Sequence, residues 1–100
     1  MRIVHSALAG TLESSDIMIQ LEEQADGIAI ELTSSVMFQY GDQIRTVIKE
    51  TLLEAGVEGV RVIATDRGAL DCTIRARVMT AVKRACALGE EEWRRVHGSN

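Results

Sequence analysis

Proline is absent from this chain, and its aromatic residues are three: Phe38, Tyr40 and Trp93. Without proline, glycine has to punctuate the elements. With so few aromatics, any core has to be aliphatic, built from Val, Ile, Leu, Met and Ala. The two cysteines, Cys72 and Cys86, fall on one expected helix. At about 1.5 Å rise per residue they stand roughly 21 Å apart. A disulfide needs Cα atoms within about 7 Å, so they cannot bridge within one chain, and their spacing is not that of a metal site. No apolar run reaches the eighteen residues expected of a membrane span. The start, Met1-Arg2-Ile3-Val4-His5, lacks the apolar stretch of a signal peptide. The expectation is a soluble cytoplasmic protein. A net charge of −4 opposes nucleic-acid binding, which needs a surface that neutralises phosphates. It suits partners with basic surfaces.

Catalytic machinery is missing as well. His5 and His97 lie near opposite ends, with no Ser, Cys or Asp constellation beside either. There is no glycine-rich phosphate loop, Walker pattern or zinc-ligand cluster. Cys72 lies off the expected core stripe with Arg67 and Arg75 in its vicinity, a weak basis for a reactive thiolate. An enzyme in its own right is not the expectation.

What is present is enough for one domain: 100 residues, 46% hydrophobic and 26% charged, a globular rather than a disordered balance. Residues 1–89 are read as that domain and 90–100 as a charged tail. Ile17, Ile19 and Leu21 alternate as on a half-buried strand, and Ile28, Ile30 and Leu32 repeat the pattern. Asp26-Gly27 between them predicts an antiparallel hairpin. Residues from about Ser6 to Leu12 form a weaker strand candidate. Met37, Tyr40, Ile44, Val47, Ile48, Thr51, Leu52 and Ala55 then follow helical spacing. Ser34, Ser35 or Asp42 is the candidate cap, and Gly56 the stop. A strand over Val57–Ala64 precedes a turn at Asp66-Arg67-Gly68, with Asp66 a possible cap. A second helix from about Leu70 to Ala87 carries Leu70, Ile74, Val78, Ala81, Val82 and Ala85 as its core stripe. Cys72, Met79 and Cys86 form a secondary seam facing either the neighbouring helix or a partner. Gly89 is the stop, and Trp93 is an anchor for a partner or for the chain's own sheet. The order predicts an α+β two-layer sandwich: a mostly antiparallel sheet of about four strands with two helices packed on one face.

The run Gly10-Thr11-Leu12-Glu13-Ser14-Ser15-Asp16 is the most informative segment. It sets two hydroxyls between acids in a turn between strands. A serine hydroxyl is a poor nucleophile near neutral pH unless a base takes its proton, and Glu13 and Asp16 are feeble bases. Covalent use of these serines therefore implies a separate modifying enzyme, for whose basic surface the acids would help docking. The plainer alternative is a polar turn with Asp16 or Ser15 hydrogen-bonded to the backbone.

This run, continuing into Ile17-Met18-Ile19, resembles the N-terminal signature of the acyl carrier proteins of citrate lyase, the gamma chains. Ser34-Ser35-Val36 with Gln39-Tyr40-Gly41-Asp42-Gln43-Ile44-Arg45-Thr46 resembles the central segment of that family. Asp66-Arg67-Gly68-Ala69-Leu70-Asp71-Cys72 with Ile74-Arg75-Ala76-Arg77 resembles a third, and Trp93 has a counterpart in many members. The similarity spans residues 7 to 93 in one register. The resemblance implies that Ser14 carries a phosphodiester-linked prosthetic group, 2'-(5''-phosphoribosyl)-3'-dephospho-CoA, attached by a prosthetic-group transferase. It implies that the group's thiol holds the acyl chain. An alpha subunit exchanges acetyl for citryl there, and a beta subunit releases oxaloacetate. The chain would then be a non-catalytic carrier within the lyase complex. Arg45, Arg75 and Arg77 are candidate contacts for the cofactor phosphates, since guanidinium matches phosphate oxygens. Ordinary acyl carriers of fatty-acid synthesis are helical bundles, and this pattern is not theirs. Carriers of citramalate lyase or malonate decarboxylase, or an unmodified interaction domain, are the alternatives. A small enzyme using Cys72 ranks last.

Overall fold

The structure, a computed structural model, describes residues 2–86. Their elements run β1 (Ala7–Gly10), β2 (Ile17–Glu23), β3 (Ile28–Ser34), α1 (Met37–Glu54), β4 (Val60–Asp66) and α2 (Asp71–Ala85). One four-stranded sheet has the order β1-β2-β4-β3. Both helices lie against it: α2 over β1 and β2, α1 over β3, each also touching the other. The α+β two-layer architecture is as expected. Trp93, His97, Gly89 and the 90–100 tail lie outside the described residues.

The sheet is mixed, which corrects the expectation of a mostly antiparallel one with β2 and β3 as a hairpin. β1 and β2 pair antiparallel, as do β2 and β4, but β3 and β4 are parallel and β4 lies between β2 and β3. The turn at Asp26-Gly27 exists, but it opens to admit β4. Gln24 donates its N–H to the Gly59 carbonyl at 3.1 Å, and Val60 donates to the Gly27 carbonyl at 3.0 Å. Gly59 has φ +69, and a Cβ there would stand 2.3 Å from the Gln24 carbonyl oxygen, so only glycine fits this crossing.

Burial explains the order. Val60, Val62 and Ala64 of β4 are fully buried, as are Ile17, Ile19 and Leu21 of β2, whereas Ile28 and Ile30 of β3 are half-buried. Each fully covered Val, Ile or Leu contributes about 1.5–3 kcal/mol, which favours placing β2 and β4 at the centre. Charge agrees. A tight hairpin would oppose Glu22 to Glu31, which is unfavourable. β4 instead sets Arg61 between them, paired with both carboxylates. These ion pairs are exposed and weigh less than the apolar term.

The core stripes of both helices are buried as spaced, from Ile44 to Leu52 in α1 and Ile74 to Ala85 in α2. Their first residues are not: Tyr40 is 58% and Leu70 70% exposed, and Met37 is exposed too. α1 ends as Gly56 predicts. Gly56, at φ +73, donates to the Leu53 carbonyl and Val57 to that of Leu52, the paired bonds of a Schellman stop. The starts differ from expectation. Val36 and Leu70 are the N-cap residues, and neither supplies a side-chain cap. The Ser34 hydroxyl instead accepts from the Val36 N–H just before α1. Cys72 is exposed on α2; Cys86 closes that helix in the core, and burial pushes its thiol pKa up. Met79 is half-buried against the core, so the seam has no single environment.

Candidate functional site

The three quoted segments meet at one end of the molecule, where both helices begin. The β1–β2 turn lies against the β4–α2 loop: Ser15 donates its N–H to the Arg67 carbonyl at 2.8 Å, and Arg67 donates to that of Asp16 at 2.9 Å. The β3–α1 turn joins the same loop, with Ser34 Oγ donating to Asp66 Oδ2 at 2.7 Å and the Ser35 N–H to the Asp66 carbonyl at 3.1 Å. Asp66, 1% exposed, also accepts from the Gly68 and Ala69 N–H groups at 3.0 Å each. It therefore shapes the loop rather than capping α2.

Ser14 stands at the tip of the β1–β2 turn. Gly10 enters that turn at φ +97, where a Cβ would collide with the Ile17 carbonyl. Asp16 closes it by donating its N–H to the Glu13 carbonyl at 3.2 Å, a β-turn with Ser14 and Ser15 at its centre. Ser15 is at φ +66, the left-handed region that disfavours side chains. Both serines are exposed. No hydrogen bond among the described residues engages the Ser14 hydroxyl. A Ser15→Gly variant is expected to gain up to about 1 kcal/mol, because glycine removes the left-handed cost and keeps the N–H bond to Arg67. Ser15→Val should lose stability by a similar amount, both read by thermal unfolding.

Asp16 anchors the turn from below. Arg77 of α2 grips its carboxylate with two bonds, Nε to Oδ1 at 3.0 Å and a terminal nitrogen to Oδ2 at 2.8 Å. The Thr11 hydroxyl donates at 2.7 Å and the Ile17 N–H at 2.7 Å. Chiefly the Arg77 bonds, then the Thr11 bond, hold this carboxyl well below the usual carboxylate range, against an opposing effect of burial. Arg77 in turn holds its proton more firmly beside Asp16. A carboxyl lowered on folding stabilises the fold above its unfolded pKa of about 3.9, and that stability is lost as pH falls through the lower folded value. An Asp16→Asn variant is therefore expected to lie about 2 kcal/mol below the parent near neutral pH. The gap should narrow steadily below about pH 4. Urea unfolding at several pH values measures it.

The arginines expected to reach phosphates have separate fates. Arg77 is beside the Ser14 turn but committed to Asp16. Arg75 faces Glu50 and Glu54 of α1 at 3.6 and 3.7 Å. Arg45 donates to the Ile30 carbonyl at 3.1 Å, on the β3 side. The sequence does not reveal that Asp16 binds Arg77, 61 positions away, or that it accepts from the Thr11 hydroxyl. Among the described residues no cluster of His, Cys, Asp and Glu is arranged to hold a metal, and no helix is long and apolar enough to cross a membrane.

A groove opens at the same end, between the start of α1 and the β4–α2 loop. Val36, Tyr40, Gln43 and Ile44 form one wall, and Gly68, Ala69, Leu70 and Asp71 the other, enclosing about 470 Å³. Gln43 Nε2 donates to Asp71 Oδ2 across it at 3.0 Å. Leu12 and Phe38, the latter wholly exposed, lie at the same end.

Comparison with known proteins places this arrangement. The family model described as "Malonate decarboxylase delta subunit (MdcD)", an acyl carrier family, matches residues 4–85. The citrate lyase acyl carrier protein of Streptococcus uberis is 53% identical over 100 residues, covering 100% of this chain and 99% of that protein. Its counterpart in Cronobacter sakazakii is 52% identical over 93 residues, covering 93% and 96%. A chain in the crystal structure of a Pseudomonas malonate decarboxylase hetero-tetramer in complex with malonate has the same fold, with a TM-score of 0.70 at 20% identity, covering 81% of this chain and 84% of that one. Three segments that meet at the β4–α2 loop, on a fold shared with that decarboxylase chain and in a sequence half identical to the citrate lyase carriers, make this chain a member of the citrate lyase acyl carrier protein family.

Proposed function

We propose that the chain is the acyl carrier subunit of a citrate lyase complex, with 2'-(5''-phosphoribosyl)-3'-dephospho-CoA ester-linked to Ser14 Oγ. The complex would cleave citrate to acetate and oxaloacetate through its alpha and beta subunits. The observation that carries this reading is the Ser14 hydroxyl itself: exposed, at a turn tip, and without a hydrogen-bond partner among the described residues. Exposure at the turn tip leaves the hydroxyl open to solvent, as an attachment point requires. When bound, the group supplies a thiol able to form thioesters.

The chain's own residues position. Arg77, Thr11 and Asp16 hold the base of the turn, and the Ser15 N–H ties it to Arg67, so the serine is presented on a braced support. The flanking Glu13 and Asp16 are feeble bases, so the transferase would have to accept the Ser14 proton. Tethering keeps the acyl group at a high effective concentration near each partner site. The carrier would take no part in bond making beyond this, in keeping with relatives named as acyl carriers. Both cysteines remain thiols, as suits the cytoplasm. The malonate decarboxylase likeness supports a second reading, the same role in that complex, but the half-identical citrate lyase relatives favour the first.

Intact mass spectrometry of the chain, co-produced with a transferase active on an established carrier, tests the proposal. One addition of the mass of the group, mapped to the peptide bearing Ser14, is expected. No addition, or an addition on Ser15, overturns it.

A further inference from the structure

We infer that the groove between the start of α1 and the 68–71 loop is a purine site, which holds the adenine ring of the carrier's own prosthetic group and leaves the pantetheine arm free. The inference rests on the assignment of Ser14 as the attachment point.

The groove belongs to this end of the molecule by direct contact. The Ser14 turn is bonded to Arg67 from both directions, and the next residue, Gly68, begins the groove wall. A nucleotide hung from Ser14 therefore starts from a turn fastened to the loop that forms one groove wall. A hollow of similar size, about 490 Å³, is lined by Gly27, Leu53 and Gly59 at the opposite end of the sheet and has no such link.

The lining suits a flat, neutral heterocycle. Val36, Ile44, Ala69 and Leu70 give apolar walls, and the Tyr40 ring offers a stacking face. Gln43 and Asp71 place an amide and a carboxylate on the rim, and the carboxylate can accept from an exocyclic amine. Its volume is within the range of small-ligand sites, about 300–1,000 Å³. Asp71 at the mouth disfavours an acyl group rich in carboxylates, so the charged cargo end is the part least suited to enter.

The exposed residues carry a second sign. Tyr40 and Leu70 continue the apolar stripes of their helices yet are largely uncovered. Stripe residues left open beside the attachment turn are what a tethered occupant would cover. Parking the nucleotide would shorten the free arm and reduce the ordering needed when its thiol enters a partner site.

Amide NMR spectra of the apo and modified forms test this, with mass spectrometry confirming the modification first. Shifts at Tyr40–Ile44 and Gly68–Asp71 on modification are expected, with loss of those shifts in Tyr40→Ser and Leu70→Ser. Both positions are exposed, and the apo spectra of the variants check their fold. Independently of Ser14 chemistry, free dephospho-CoA titrated into apo protein should shift the same amides. Adenosine should reproduce the shifts, pantetheine should not, and Tyr40→Ser should weaken binding about tenfold. Shifts confined to residues 11–16 in a protein of confirmed modified mass, or groove shifts that appear only when a partner subunit is added, overturn the inference. Absence of the mass addition would overturn the Ser14 assignment instead.

Discussion

A Ser14→Ala variant is expected to fold as its parent does and to carry no prosthetic group at all. The side chain is exposed and makes no hydrogen bond among the described residues, so its removal should change stability by no more than about 0.5 kcal/mol. The functional effect should be complete, because no other residue near the turn supplies an equivalent hydroxyl in the same backbone setting. Ser15 is adjacent but in the left-handed conformation, with its N–H bound to Arg67. A transferase that fits the Ser14 backbone would meet a different geometry there. A lyase complex reassembled with Ser14→Ala should lose citrate cleavage by a factor of roughly a thousand or more, since the acyl-bearing thiol is absent. Ser15→Ala should retain both adduct and activity. Mass, activity and circular dichroism measured together separate loss of the attachment point from loss of the fold.

Asp66→Ala should have the largest effect on stability. Its carboxylate is wholly buried and accepts from three donors: Ser34 Oγ, the Gly68 N–H and the Ala69 N–H. Alanine would leave these donors without it at the junction of the β3–α1 turn with the β4–α2 loop. The donors are half-buried, and each bond to the charged carboxylate contributes about 1.5–3 kcal/mol, so a loss of about 3 kcal/mol or more is expected. For a domain of this size that corresponds to a fall in Tm of roughly 15 °C or more. Ser34→Ala removes one of these bonds and should lower stability by about 1 kcal/mol. Thermal unfolding of the two variants beside the parent gives the comparison, and a loss no larger for Asp66→Ala than for Ser34→Ala would refute the central role of this carboxylate.

The local features of the fold were readable because they depend on neighbours in sequence. The alternation of Ile17, Ile19 and Leu21, the spacing of Ile44, Val47, Ile48 and Leu52, and the Gly56 stop each rest on a few adjacent positions. The position of β4 was not readable. It depends on Gly59 passing close to Gln24 and on Arg61 meeting both Glu22 and Glu31, contacts between residues far apart in the chain. Asp26-Gly27 signals a turn but not the distance between the strands that it joins. The helix starts were misread for a related reason. Ser34 and Asp66, both plausible caps, bind each other and the loop. At the site, the exposed Ser14 turn was legible, as was the chance that Asp16 bonds its own backbone. The grip of Arg77 on Asp16 was hidden, because a guanidinium bound to a carboxylate and one free for phosphate look alike in a sequence.

The interior place of β4 sets the order in which the domain can be completed during synthesis. Among the described residues β3 has no sheet neighbour except β4, so until the ribosome has made residues 60–66 the emerging chain holds an early hairpin, a helix and an orphan strand. The gap between β2 and β3 must stay open for a segment translated later, and closing contacts so distant in the chain is slow. Until then the nascent chain has the facing edges of β2 and β3 bare, and a premature stop before Val60 would leave a fragment prone to aggregate.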